Sequence, residues 1–209
     1  MPRAGLTRTA VVDLALAVVD ETGFDQLTLA AVAARAGVAV PSLYKHVRGL
    51  PDLRREVALV AVRELTAALE GAAQPTAALA APAAAASPGI PPADALRRTA
   101  DAVRHFAHRS PGRYLATQVA RDADDPADAE LVAANTAAVR AMAAALLPVT
   151  GALSGPALVH AIRTVRSAVH GFVMLELAGG FGLPEDVDAS FAHLVRVLEA
   201  GLAVSPPPA

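Results

Sequence analysis

Apolar residues recur along this chain at the spacing of a helix. Val12, Ala15, Leu16 and Val19 stand at i, i+3, i+4 and i+7, one stripe of a helix over residues 7–22, and Gly23 follows as its stop. Thr28 precedes a second run, 29–36, where its hydroxyl can accept from an unpaired N–H of the first turn, and Gly37 ends that run. A third helix is predicted over 40–47, with Pro41 near its start, where a missing N–H costs nothing. Gly49 and Pro51 punctuate the start of a fourth, which runs to about residue 70.

Residues 71–92 change character. Pro75, Pro82, Pro88, Pro91 and Pro92 are scattered through Ala, Ser and Gly, which predicts a long, partly disordered loop; an Ala-rich helix over 76–86 is the alternative. Helical patterns resume over 93–109, 114–121 and 127–147, with a break at Pro148 and Gly151. The clearest two follow. Val159, Ile162, Val165, Val169, Phe172, Val173 and Leu177 mark a helix over 156–177, and Phe191, Leu194, Val195, Leu198 and Leu202 mark one over 187–202.

Composition agrees. Of 209 residues 52 are Ala, the best helix former, and only 3% are aromatic, so the fold class is all-α. Cys is absent, which excludes disulfides, thiolate nucleophiles and Cys-ligated metals. No uninterrupted run of about 18 large apolar residues is present, so no membrane partner is expected. The first ten residues lack a basic stretch followed by an apolar one, so no signal peptide is expected and the expected location is the cytoplasm. The formal charge is −2, yet residues 35–55 hold Arg35, Lys45, Arg48, Arg54 and Arg55 against Asp52 alone, a local balance of +4. That asymmetry suits an electrostatic footprint on nucleic acid.

The second and third helices, joined by a tight turn at Gly37, form a helix-turn-helix pattern. Leu29, Val32, Ala33, Val38, Leu43 and Val47 would pack the pair on each other and on the first helix. Ser42, Lys45, His46 and Arg48 would face outward, a hydroxyl and basic surface fit for a major groove.

The stretch Thr22-Gly23-Phe24-Asp25-Gln26-Leu27-Thr28-Leu29, then Val32-Ala33, Ala36-Gly37-Val38 and Pro41-Ser42-Leu43-Tyr44-Lys45-His46-Val47, closely resembles the DNA-binding domain of the TetR family of transcriptional regulators. The resemblance covers about residues 7–53. Near the other end, His170-Gly171-Phe172-Val173, Leu175-Glu176-Leu177, Gly179-Gly180-Phe181-Gly182 and Ser190-Phe191 look like the C-terminal domain of a subgroup named for a Trp-His-Gly signature, although this chain has no tryptophan. The resemblance implies a three-helix DNA-binding head, an all-α ligand-binding and dimerisation body, and a homodimer. It divides the chain into a head at 1–53, a connecting helix at 54–70, the loop at 71–92, the body at 93–204 and a disordered tail at 205–209.

It also implies residue roles. Thr28 meets a phosphate at a helix start, where free N–H groups favour anions. Tyr44, His46 and Arg48 meet the phosphate backbone, and Val40, Pro41, Ser42 and Lys45 face base edges. Each has a plainer alternative: Thr28 a cap, Tyr44 part of the core, His46, Lys45 and Arg48 solvated surface. Where the family commonly carries a Lys, this chain has Leu50, and Arg54 or Arg55 is expected to compensate.

Other chemistry finds little support. His105 and His108 sit i, i+3 on one helix, but no carboxylate stands at a fitting spacing for a third metal ligand. Asp122, Asp124, Asp125 and Asp128 lack the glycine and spacing of a calcium loop. No catalytic motif is present, so neither an enzyme, a metal nor a cofactor is expected.

In the body, Phe106, Tyr114, Met142, Arg166, His170 and Met174 are candidates to line a ligand pocket, with plain core as the alternative for several; few aromatics and many Ala suit an apolar ligand. Phe172, Phe191, Leu194, Val195 and Leu198 are candidates for dimerisation with a second copy. The expected partners are a double-stranded operator, an unidentified small molecule and a second copy of the chain. The expected function is a ligand-responsive repressor on a near-palindromic operator. The alternatives are a constitutive DNA-binding protein whose body only dimerises, and a small-molecule-binding helical bundle that never touches DNA.

Overall fold

The computed structural model describes residues 6–74, 92–151 and 153–204, all in helices, turns and connections, with no strand among them. Helix α1 spans Arg8–Thr22, and Thr7 caps it by accepting from the Ala10 N–H at 3.1 Å. A 3-10 turn at Phe24–Gln26 leads to α2, Leu29–Ala36. Gly37 ends α2 in the left-handed region at φ 66°, where a side chain would be strained, and its N–H bonds back to the last turn.

The predicted third helix is a 3-10 helix, Val40–Lys45, and stops two residues early. Ser42 N–H bonds to Ala39 C=O and His46 N–H to Leu43 C=O, three residues back rather than four. Pro41 sits in the first turn, where its missing N–H would have no partner in either helix type.

Helix α3 covers Leu50–Ala73, so residues 71–73 continue a helix where the sequence pattern suggests a loop. Helix α4 is Pro92–Arg109. The remainder of the expected loop, and the expected tail, lie outside the described residues. Helix α5 is Pro111–Ala116, earlier and shorter than the expected 114–121, because Pro111 is well suited to a first turn. Helix α6, Ala129–Thr150, runs through Pro148 instead of breaking there. So close to the end little ladder is lost, and the Thr150 hydroxyl and Gly151 N–H take the Leu146 and Leu147 carbonyls. Helices α7, Gly155–Leu177, and α8, Val187–Val204, match the expected pair closely.

The chain divides into two compact units. The first comprises the N-terminal part to Glu64 with Arg109–Thr136; the second comprises Leu65–His108 with the chain from Ala137 onward. In the first, Val11, Ala15, Val19, Leu27, Val32, Leu43, Val47, Leu53 and Val57 form a continuous core, joined by Ala116 of α5. Each fully buried Leu or Val there contributes about 1.5–3 kcal/mol. Gly112 brings α5 against the Val19 backbone, and Arg113 ties it to Asp20 at 2.6 Å and Glu64 at 2.6 Å.

In the second unit, α7 buries Ala161, Ile162, Val165, Val169 and Val173 along one face. Arg104 of α4 donates to Glu176 of α7 and, at 2.6 Å, to Asp188, and its guanidinium lies over the Phe191 ring. Phe172 packs on Phe191 and Phe181, with centroids 5.1 and 4.6 Å away.

By length and hydropathy, Pro126–Thr150 is the one stretch among the described residues apolar enough to cross a membrane. Its first turns carry Asp128 and Glu130, which pair with Arg55 and Arg63 of α3.

Candidate nucleic-acid interface

The helix-turn-helix is built from its buried side outward. Leu43 and Val47 are fully sequestered, Val32 and Ala33 meet them from α2, and Leu29 and Val38 close the edges. With that face fixed, the remaining side chains of the 3-10 helix have one way to point. Tyr44 is 58% exposed, and Pro41 and Lys45 are exposed as well. Ser42, Val40 and His46 are half-buried, and Val40 packs against the core edge. Arg48 follows with its side chain 77% exposed. A large aromatic hydroxyl and an ammonium side by side on a short helix are suited to phosphate and base-edge contacts.

Thr28 caps α2. Its hydroxyl accepts from Ala31 N–H at 3.1 Å, and the residue is exposed at the helix start, where the dipole favours an anion.

The charge surplus read along the chain is mostly cancelled in space. Arg35 makes two hydrogen bonds to Glu21, at 2.5 and 2.6 Å. Arg55 bonds to Asp128, with Asp125 3.7 Å away, and these carboxylates arrive from far along the chain. Arg54 lies over the Phe24 ring and donates to the Asp25 carbonyl. Arg54 and Arg55, the residues expected to compensate for Leu50, are both partly buried and bonded to protein oxygens. Leu50 itself packs against the core. Lys45 is outward-facing, and Arg48, though mostly exposed, reaches Asp52 with its guanidinium at 3.5 Å.

Two residues outside the predicted contact set complete the geometry. Asp52, only 5% exposed, accepts the Arg48 backbone N–H at 2.9 Å. Arg8 of α1 contacts both oxygens of Asp52 at 3.4 Å, donates to Glu56 at 2.7 Å and donates to the His46 carbonyl at 2.9 Å. Burial opposes the Asp52 charge, but the Arg48 N–H and the Arg8 guanidinium outweigh it and hold its carboxyl below the ordinary range. Asp52 stands at the start of a predicted helix, a hint of capping; Arg8 is 44 residues from it and gives none. A polar cleft of about 230 Å³ opens beside them, walled by Arg8, Arg48, Asp52, Arg55 and Glu56 and by residues from Pro126 to Leu131.

The candidate ligand residues fall in both units. Tyr114 is buried in the first unit, on α5. Phe106 and Met142 are buried in the second, where His170 and Met174 are half-buried and Arg166 is exposed. Burial, and then the Arg166 charge, push the His170 imidazole below its usual value. Of the candidate dimerisation residues, Phe191, Val195 and Leu198 are buried within the protomer, and Phe172 and Leu194 are half-buried. Val159, Leu175 and Val197 are the exposed large apolar residues of the same two helices. No group of three metal-ligating side chains occurs among the described residues.

Two family models match this chain. Residues 11–49 match the model for bacterial regulatory proteins of the tetR family, and residues 96–198 match that for the tetracyclin repressor-like C-terminal domain. An uncharacterized HTH-type transcriptional regulator of Mycobacterium tuberculosis is 35% identical over 202 residues, covering 95% of this chain and 83% of the relative. Another, from Bacillus subtilis, is 30% identical over 207 residues, covering 98% and 96%. The solved structure of a protein of unknown function from Rhodococcus sp. RHA1 superposes with a TM-score of 0.71 at 22% identity, covering 97% of this chain and 98% of that one. The likeness thus runs along nearly the whole length, and the chain belongs to the TetR family of helix-turn-helix transcriptional regulators.

Proposed function

We propose that the protein is a repressor that binds a near-palindromic operator as a homodimer and leaves it when a small apolar ligand occupies the body. The observation that carries this reading is the outward placement of Tyr44 and Lys45 on a 3-10 helix whose other face, Leu43 with Val47 beyond it, is locked into the core. Lys45 and Ser42 read base edges, with Val40 and Pro41 offering apolar contact to a thymine methyl. Tyr44, His46, Arg48 and Thr28 meet phosphates and set the register.

Two copies would place their recognition elements about 34–36 Å apart, one turn of DNA. Helices α7 and α8 supply the pairing surface, with Phe172 and Leu194 at its edge and Phe191, Val195 and Leu198 beneath it. The C-terminal domain is of the Trp-His-Gly subgroup type, and the protein works in the cytoplasm. Phe106, Met142, His170 and Met174 line the ligand site within the second unit, with Arg166 as a further contact. A ligand that prefers one head spacing over another needs a coupling of only about 1–3 kcal/mol to weaken DNA binding about 5–150-fold.

Sequencing DNA fragments selected by the purified protein tests the DNA half of this reading. A two-fold symmetric motif is expected; recovery of no motif would end it. Compounds that raise the melting temperature and also release the selected DNA are expected from a ligand screen. If every stabilising compound leaves the complex intact, the ligand-response half fails.

A further inference from the structure

We propose that Arg8 and Asp52 are positioning residues for DNA recognition, fixing the outgoing end of the Val40–Lys45 helix so that Tyr44 and Lys45 meet the groove at one angle. This rests on the DNA-binding reading above and adds to it two residues that touch no DNA.

A 3-10 helix of six residues cannot hold itself, because each turn gains too few hydrogen bonds for the dihedrals it fixes. Its inner face is anchored by Leu43 and Val47. Those apolar contacts set its depth but are non-directional and leave its tilt free. The tilt is set at the exit. Arg8 Nη1 donates to the His46 carbonyl at 2.9 Å, and the Arg48 N–H donates to Asp52 at 2.9 Å. Arg8 and Asp52 are joined to each other, and Glu56 at 2.7 Å takes the far side of the guanidinium. One guanidinium and one carboxylate thus tie the start of α1, the end of the recognition helix and the start of α3. The planar fork of Arg supplies the directional bonds that the apolar contacts lack. Arg8 is a cation on a DNA-binding head, yet both its terminal nitrogens are bonded to protein oxygens.

The test compares two duplexes, one enriched from a random-sequence library by the wild-type chain and one of the same length with that sequence shuffled. Arg8→Met is expected to lose roughly tenfold in affinity for the enriched duplex while keeping its affinity for the shuffled one. Its dependence of log K on log salt is expected to match the wild type. Asp52→Asn keeps an acceptor for the Arg48 N–H but drops the charge that holds Arg8, and is expected to lose the same ratio. The double variant is expected to lose no more than either single one, since both break one link. Arg8→Lys, which keeps the charge and one directional bond, is expected to recover part of the ratio.

An unchanged ratio in both single variants overturns the proposal. So does equal weakening on both duplexes, the mark of a loss of folded protein. A salt slope lower by about one in Arg8→Met would make Arg8 a phosphate contact, and that too overturns it. A wild-type chain that fails to discriminate between the duplexes sinks the DNA-binding reading itself, and this inference with it.

Discussion

Arg35 and Glu21 are joined by two short hydrogen bonds that link the end of α2 to the end of α1. By chain position Arg35 belongs to the basic stretch; by position in space its charge is answered. Arg35→Ala is therefore expected to leave the salt dependence of DNA binding unchanged, whereas Arg48→Ala is expected to lower the slope by about one. Affinity measured across a salt series checks both, and a lowered slope for Arg35→Ala would contradict the pairing.

Lys45→Ala is expected to relax base preference at one position of each half-site, at a cost of about 1–3 kcal/mol. Tyr44→Phe is expected to weaken binding uniformly across sequences, because a hydroxyl on a phosphate carries no base information. Binding to a set of single-position operator variants separates the two. A uniform loss for the lysine variant would make it a backbone contact.

Gly112 sits where α5 meets α1. A Cβ there would press into the Val19 carbonyl oxygen and stand 2.8 Å from its Cγ1. Backbone cannot swing aside as a side chain can, so Gly112→Ala is expected to destabilise the protein by about 1–3 kcal/mol. Denaturant unfolding measures this, and a stability equal to wild type would mean that α5 does not pack as closely as described.

Acid should destabilise the second unit. The Arg104 guanidinium, with help from His108, holds the Glu176 carboxyl down at about 2 against an ordinary 4.5. A carboxyl depressed in the fold contributes stability that is whole above 4.5 and is lost as pH falls toward 2. His170 works earlier. Burial lowers its imidazole below 6.5, so the unfolded chain takes the proton first and stability begins to fall as pH drops through that value. Denaturant midpoints across pH 7 to pH 2 are expected to fall in both windows. Glu176→Gln is expected to shrink the lower one and leave the upper one, with Asp52 still contributing to the lower, and an unaltered lower window in that variant would rule out a part for Glu176 in it.

The head's apolar face was readable because short-range rules govern it. The Leu29, Val32, Ala33, Val38, Leu43 and Val47 pattern is a matter of period, and the stops at Gly23 and Gly37 follow from backbone sterics, so helix order and the inward face were legible from the residues alone. The outward face of Lys45 follows from the same period; that of Tyr44 does not, since i+4 from Val40 would turn it inward on a regular α-helix. The 3-10 form of their helix does not, since it depends on which carbonyl each N–H finds once Leu43 is seated.

Charge behaved differently. A local sum over residues 35–55 counts Arg35, Arg54 and Arg55 as surface, but Glu21, Asp25 and Asp128 reach them from elsewhere in the chain. The bond between Arg8 and Asp52 spans 44 residues, and the one between Arg104 and Glu176 spans 72. What the sequence by itself determined was the set of helices, their buried stripes and the family motif, because propensity, period and turn sterics act between near neighbours. Which cations stay available to DNA, and what holds the recognition helix in place, only the tertiary structure decided, because ion pairs form between side chains that folding brings together from distant positions.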